Sequence, residues 1–138
     1  MRLQKTTLYL FPLLLLGSSP LHGASWSSPF FAPDEATTLH NMGVEYDHQG
    51  KYEEALKHYL RALEIKEKKL GVDHPDVATT LNNIGLVYDK QGKYAEALPY
   101  YEKALEIDEN KLGEDHPSTI TTRKNVEAIR QAEKQYLR

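Results

Sequence analysis

The chain has 138 residues, of which 27% are charged, and a formal net charge of -3, a composition typical of a single globular domain. A mildly acidic chain without a basic cluster is a poor candidate for nucleic-acid binding, because phosphate neutralisation supplies most of that affinity. The sequence contains no cysteine, so disulfides, thiolate metal sites and a cysteine nucleophile are excluded.

The first 24 residues have the order of a secretory signal peptide. Two cations, Arg2 and Lys5, precede an apolar run from Leu8 to Leu16, and small and polar residues follow. This run is much shorter than the roughly 20 residues that a membrane-spanning helix needs. We therefore expect residues 1–24 to direct export to the periplasm or beyond, and the mature form to have no membrane anchor. The alternatives are an uncleaved anchor or an imperfect gene start, and without a signal the protein would be cytoplasmic.

After a Ser/Pro-rich linker at residues 25–33, the sequence repeats itself. Residues 34–75 align without gaps with residues 76–117, with 28 identities in 42 positions. The shared strings include "ATTL", "QGKY", "ALEI" and "KLG", and both copies end in "DHP". A third copy begins at residue 118 and stops after one helix length. A fixed period of this size predicts a solenoid of stacked supersecondary units.

Each repeat has the pattern of two helices. Small and apolar residues at helical spacing predict the buried face of the first helix: Leu39, Met42, Gly43 and Tyr46. The second helix has a wider apolar stripe, formed by Tyr52, Ala55, Leu56, Tyr59, Ala62 and Leu63. Gly50 and Gly92 suit the left-handed conformation that ends a helix. Alternation of small and large residues predicts close packing, in which Gly43 faces an aromatic ring.

This pattern resembles the tetratricopeptide repeat, in the long form found in kinesin light chains. The resemblance rests on paired positions of the two copies: Met42/Ile84, Gly43/Gly85, Tyr46/Tyr88, Gly50/Gly92, Tyr52/Tyr94, Ala55/Ala97, Tyr59/Tyr101, Ala62/Ala104 and the ending "LG-x-DHP". It implies an all-α fold, a right-handed superhelical stack of antiparallel helix pairs. Two full repeats, 34–75 and 76–117, would be followed by residues 118–138 as a capping helix or partial third repeat.

The two "KLG-x-DHP" loops carry an Asp-His pair that could suggest a metal or acid–base site. No cluster of further ligands surrounds either histidine, so the sequence favours a structural joint between repeats. The proline then begins the next helix, and we expect Asp76 and Ser118 to cap it, as Asp34 caps the first. We expect no catalytic residue, no metal site and no cofactor.

The face opposite the buried one lines the concave groove in tetratricopeptide folds. Three rows of equivalent residues would cross this face: Asn41, Asn83 and Asn125; His40, Asn82 and Lys124; Val44, Leu86 and Ala128. Similar asparagines in related repeats hold a peptide backbone, because a carboxamide both donates and accepts hydrogen bonds. Lys124 and Lys90 would meet an acidic group. The alternative is that each asparagine only bonds the adjacent helix.

These patterns predict a non-enzymatic module that binds a peptide or partner protein in the groove. The alternative is a structural element that self-associates or docks through its N-terminal repeat, because no polar cap precedes that repeat. A hydrolase or metalloenzyme is the third reading, and only the Asp-His loops support it.

Overall fold

The computed structural model describes residues 33–138, and the Asp34–Arg138 segment forms one compact unit. Five α-helices and no strand occur in this part: α1 (Glu35–His48), α2 (Tyr52–Leu70), α3 (Pro75–Lys90), α4 (Tyr94–Lys111) and α5 (Pro117–Tyr136). None of these helices has the length and apolarity needed to cross a membrane. The export segment and nearly all of the linker lie outside the described residues, so both stay predictions.

The helices pack in chain order. Helix α1 pairs with α2 and α3 pairs with α4, while α2 packs on α3 and α4 packs on α5. Gly50 and Gly92 end the first helix of each pair with φ angles of 74° and 75°, a region that disfavours any side chain with a Cβ. Both glycines were predicted from the sequence as turn residues. The five helices and their pairing confirm the predicted all-α repeat architecture.

Each helical pair is held together by a glycine pressed against a tyrosine ring. A Cβ atom added at Gly43 would lie 2.7 Å from the Tyr59 ring, and one at Gly85 would lie 2.9 Å from the Tyr101 ring. Both tyrosines are buried in the core. The small-against-large packing predicted for Gly43 is confirmed, and an alanine there would force the ring away.

The outer face of α1 departs from the prediction. Met42 is 40% exposed, whereas its equivalent Ile84 is 0% exposed. Ile84 is covered because α3 packs against both α2 and α4, while no helix precedes α1 in the described residues. The prediction that Met42 is buried was therefore wrong, and the reason is its place at the end of the stack.

The histidines of the joints cap the helices that follow them. The Nδ1 atom of His74 accepts a hydrogen bond from the backbone N–H of Asp76 at 3.0 Å, and His116 accepts one from Ser118 at 3.2 Å. Each following proline occupies the first turn, where a missing N–H costs nothing. The prediction that Asp76 and Ser118 are the caps was wrong, because the helices begin at the prolines.

Helix α1 begins with the cap that the sequence predicted. The Asp34 carboxylate accepts a hydrogen bond from the backbone N–H of Thr37 at 2.7 Å. This bond stabilises the charged form and lowers the pKa of Asp34 below its ordinary value. The starts of α1, α3 and α5 therefore use one carboxylate cap and two imidazole caps.

Candidate peptide-binding face

The predicted site residues lie on α1, α3 and α5, the first helices of successive units. Asn41 and Lys124 are exposed, whereas Asn83 and Asn125 are half-buried. In the described residues neither Asn41 nor Lys124 forms a side-chain hydrogen bond or ion pair. The structure thus divides the predicted set into side chains open to solvent and side chains bonded to a neighbouring helix.

His40 joins α1 to α3 through both of its ring nitrogens. Its Nδ1 lies 3.2 Å from Thr80 Oγ1, and its Nε2 lies 3.3 Å from Asn83 Nδ2. Because the Asn83 amide nitrogen only donates, Nε2 is the acceptor and Nδ1 carries the proton. Thr80 is completely buried, and its hydroxyl donates a hydrogen bond to the backbone carbonyl oxygen of Asp76. His40 is therefore held as one neutral tautomer in a closed network.

The surroundings of His40 disfavour its charged form. Burial lowers the pKa of His40 to about 4, and the nearby Lys66 ammonium acts in the same direction. Burial also lowers the pKa of Lys66, which donates a hydrogen bond to Thr80 Oγ1 at 3.0 Å. At neutral pH the network therefore has a neutral imidazole and two donors that converge on one hydroxyl oxygen.

The next joint repeats this bond with a different pair of residues. Asn125 donates from Nδ2 to Asn82 Oδ1 at 3.1 Å, and this bond joins α5 to α3. Asn82 is the equivalent of His40, and Asn125 is the equivalent of Asn83. The same two rows therefore meet at both joints, with an imidazole at one and an amide at the other.

An ion pair forms a second link between α1 and α3. Both carboxylate oxygens of Asp47 accept hydrogen bonds from Lys90 Nζ at 2.8 Å. Asp47 is 8% exposed, so the ammonium compensates a nearly buried charge. Lys90, predicted to meet an acidic ligand, is instead engaged within the fold in this structure. The equivalent of Asp47 in the second repeat is Asp89, and burial raises its pKa. Ala132 occupies the position equivalent to Lys90.

These links have a regular spacing that the sequence analysis missed. His40–Asn83, Asn82–Asn125 and Asp47–Lys90 each join residues 43 positions apart. The repeat is 42 residues long, so each side chain contacts the position that follows its own equivalent. A search for hydrogen-bonding and charged pairs at one residue more than the period would have found them.

The family follows from the match of a family model. The model described as Tetratricopeptide repeat matches residues 34–110 and 90–137. The chain belongs to the tetratricopeptide repeat family. No curated protein matches it. Tetratricopeptide repeat domains generally bind proteins or peptides and are generally non-catalytic scaffolds, so the fold is that of a protein–protein interaction module.

Solved structures show the same tetratricopeptide repeat fold. The crystal structure of BtubC (BKLC) from P. vanneervenii has a TM-score of 0.68 and 22% identity, over 78% of this chain and 43% of that one. A P. anserina protein with nearly identical TPR-like repeats, of the kinesin light chain type, has a TM-score of 0.63 and 23% identity, over 72% and 47%. The predicted kinesin-light-chain-like repeat is confirmed. The chain spans less than half the length of either relative.

The apolar row of this tetratricopeptide array is partly used by the core. Val44 packs against a buried cluster formed by α2, α3 and α4, and Leu86 packs against one formed by α4 and α5; both side chains are half-buried. Ala128, the third member, is exposed. The row therefore offers part of each side chain to a ligand rather than a continuous apolar strip. No group of three His, Cys, Asp or Glu side chains that could hold a metal ion occurs in residues 33–138.

Proposed function

We propose that the chain binds an extended peptide segment of a partner protein along the face formed by α1, α3 and α5. The tetratricopeptide repeat fold and the polar side chains of this face support the proposal. The supporting residues are eight members of the predicted rows: Asn41, Asn83, Asn125, His40, Asn82, Lys124, Val44 and Leu86.

The observation that carries the proposal is the Asn82–Asn125 amide pair. One hydrogen bond between the two side chains fixes their orientation. In the described residues the Asn82 Nδ2 group and the Asn125 Oδ1 atom form no further hydrogen bond. A free donor beside a free acceptor is the complement of a peptide group, which presents one carbonyl oxygen and one N–H. A pair already fixed in the free protein loses little side-chain entropy on binding.

The charge on this face favours a ligand with an acidic group near α5. Lys124 is exposed and forms no ion pair in the described part of the chain, whereas Lys90 is engaged by Asp47. An acidic residue of the peptide would thus pair with Lys124. The pair would be exposed to solvent, so it contributes to orientation more than to affinity.

Selection of peptides followed by substitution of the amide pair tests the proposal. Peptides from a random 12-residue display library would be selected on the immobilised full chain, and fluorescence anisotropy would give their dissociation constants. We expect Asn125→Ala to weaken binding about five- to tenfold, because it removes a hydrogen-bonding group and releases Asn82 from its fixed orientation.

Asn110→Ala is the matched control. Asn110 is an exposed asparagine on α4, away from the proposed face, and its substitution should leave the dissociation constant unchanged. Peptides that bind Asn125→Ala and the original chain equally would contradict the groove. Circular dichroism of both variants checks that the helices are intact.

A second function is favoured by the exposed end of the stack. Met42 is 40% exposed at the position where Ile84 is fully buried by its neighbours. A second copy, or a larger assembly, would cover this surface as a preceding repeat would. We therefore retain docking through the N-terminal repeat as the alternative to peptide binding.

A further inference from the structure

The joint between α2 and α3 (the first joint) and the joint between α4 and α5 (the second joint) carry opposite charges at equivalent positions. In the first joint Lys66 donates a hydrogen bond to Thr80 Oγ1 at 3.0 Å. In the second joint, 42 residues later, Asp108 replaces the lysine and Thr122 keeps the hydroxyl. The hydrogen bond is therefore reversed, because Thr122 Oγ1 donates to Asp108 Oδ2 at 3.0 Å.

Asp108 is a buried carboxylate without a cation beside it. The residue is 2% exposed, and in residues 33–138 it belongs to none of the ion pairs. Oδ2 accepts hydrogen bonds from Ser118 Oγ and Thr122 Oγ1, both at 3.0 Å, whereas Oδ1 accepts none in this part of the chain. Buried carboxylates are normally paired with a positive charge, because hydroxyl donors compensate only part of the lost hydration.

A cavity of about 280 Å³ opens onto this carboxylate. Side chains of α3, α4 and α5 line it: Thr79, Asn82, Asp108, Ser118, Thr121 and Thr122. Asn82 also belongs to the amide pair of the proposed peptide face. A peptide that lies on this face would thus pass the mouth of the cavity.

We propose that the cavity receives the ammonium group of a lysine side chain from the bound peptide, an assignment that rests on the proposed peptide-binding function. The first joint shows that such a joint accepts an ammonium beside a threonine hydroxyl, because the chain's own Lys66 lies there. Lysine fits better than arginine, since Oδ2 is already shared by two hydroxyls and the guanidinium fork pairs best with both carboxylate oxygens. A metal ion fits poorly, because residues 33–138 contain no group of three acidic or histidine ligands.

Nuclear magnetic resonance of the full chain with Nα-acetyl-lysine N-methylamide tests this assignment independently of any selected peptide. We expect saturable shifts of the backbone amide signals of Asn82, Ser118 and Thr122. Asp108→Asn should weaken this binding at least about tenfold, because a charged hydrogen bond is replaced by a neutral one. Asp108→Lys should abolish it, because the new ammonium would bond Thr122 as Lys66 bonds Thr80.

Two controls separate the cavity from general charge effects. Glu106→Gln removes an exposed carboxylate from the same helix and should bind the lysine amide as the original chain does. The Nε-acetylated compound should give no saturable shift on the original chain, and this comparison does not depend on any variant folding. Equal binding of the acetylated compound, tighter binding of the arginine analogue, or unchanged binding by Asp108→Asn would overturn the assignment.

The outcome also distinguishes this cavity from the peptide face as a whole. If the lysine amide binds in the cavity but no displayed peptide depends on Asn125, the cavity stands and the extended groove fails. If selected peptides depend on Asn125 but bind equally well after their lysines are acetylated, the groove stands and the lysine assignment is overturned.

Discussion

At the scale of single residues, His40 shows how one position changes role along the repeat. His40 has an imidazole where the equivalent Asn82 has an amide, and the imidazole makes a second contact, to buried Thr80. Its ring also meets the Tyr59 ring edge to face, with 5.3 Å between the centroids. Burial raises the pKa of Tyr59 to about 12, so that tyrosine is neutral beside a neutral imidazole. Neither ring therefore carries a charge at neutral pH.

The lowered pKa of His40 predicts a stability that depends on pH. The pKa is about 4 in the folded chain and near 6.5 when unfolded. Between these values the unfolded chain binds more protons at this residue, so the contribution of His40 to the free energy of unfolding is largest above pH 6.5 and falls as the pH approaches 4. The slope is at most about 1.4 kcal/mol per pH unit, and partial exposure of the ring reduces it. Urea denaturation at pH 7.5, 5.5 and 4.5 measures it.

The variant His40→Asn is the matched comparison, because Asn82 is the asparagine of the equivalent position. It keeps hydrogen-bonding capacity toward Asn83 and removes the titrating group. We expect its loss of stability between pH 7.5 and 4.5 to be smaller than that of the original chain. Identical pH profiles for the two proteins would show that His40 does not titrate with folding.

At the scale of helices, the Asp-His-Pro loops contain a motif that suggests catalysis or metal binding, but their histidines cap the helices that follow. His74 and His116 accept one backbone N–H each, and a proline supplies the first turn after each of them. This use explains why the Asp-His-Pro string recurs with the period of the repeat. A cap must occur once for each helical pair, whereas a catalytic or metal site needs to occur only once.

Removal of the imidazole cap should destabilise α3. We expect His74→Ala to lower the free energy of unfolding by about 1 kcal/mol, as loss of a side-chain cap commonly does. His74→Asp should retain most of the stability, because a carboxylate caps α1 at Asp34. Urea denaturation of the three proteins at pH 7.5 makes the comparison. An alanine variant as stable as the original chain would show that the cap contributes nothing.

The sequence predicted the features that lie within one helical pair and missed those that join successive units of the stack. Gly50, Gly92 and the Gly43–Tyr59 contact follow from helical periodicity and from the conformational freedom of glycine. The bonds of 43-residue spacing depend on how one helix is offset from the next, which no pattern inside a helix records. The capping histidines were missed for a related reason. A helix beginning at the proline, rather than after it, moves the cap by two residues.

At the scale of the whole molecule, the rows of equivalent residues predict which side chains share a face but not which of them bond a neighbouring helix. The three asparagines occupy equivalent positions, yet Asn83 and Asn125 bond a preceding helix whereas Asn41 has no such helix in residues 33–138. Position in the stack, not residue type, decides which amides are fixed. The same end effect exposes Met42 while it buries Ile84. End positions of a repeat array therefore carry different properties from identical positions inside it.

That end effect gives the prediction that separates peptide binding from self-association. If the N-terminal end of the stack docks on a second copy, the full chain should form dimers or larger species at high concentration, and Met42→Glu should shift it to monomer. The reason is that a charge placed on the apolar contact would be buried without a partner. Ile120→Glu, at a side chain of similar exposure (39%) on α5, is the control. Size-exclusion chromatography with light scattering measures the mass. A monomeric original chain at high concentration would exclude docking between copies.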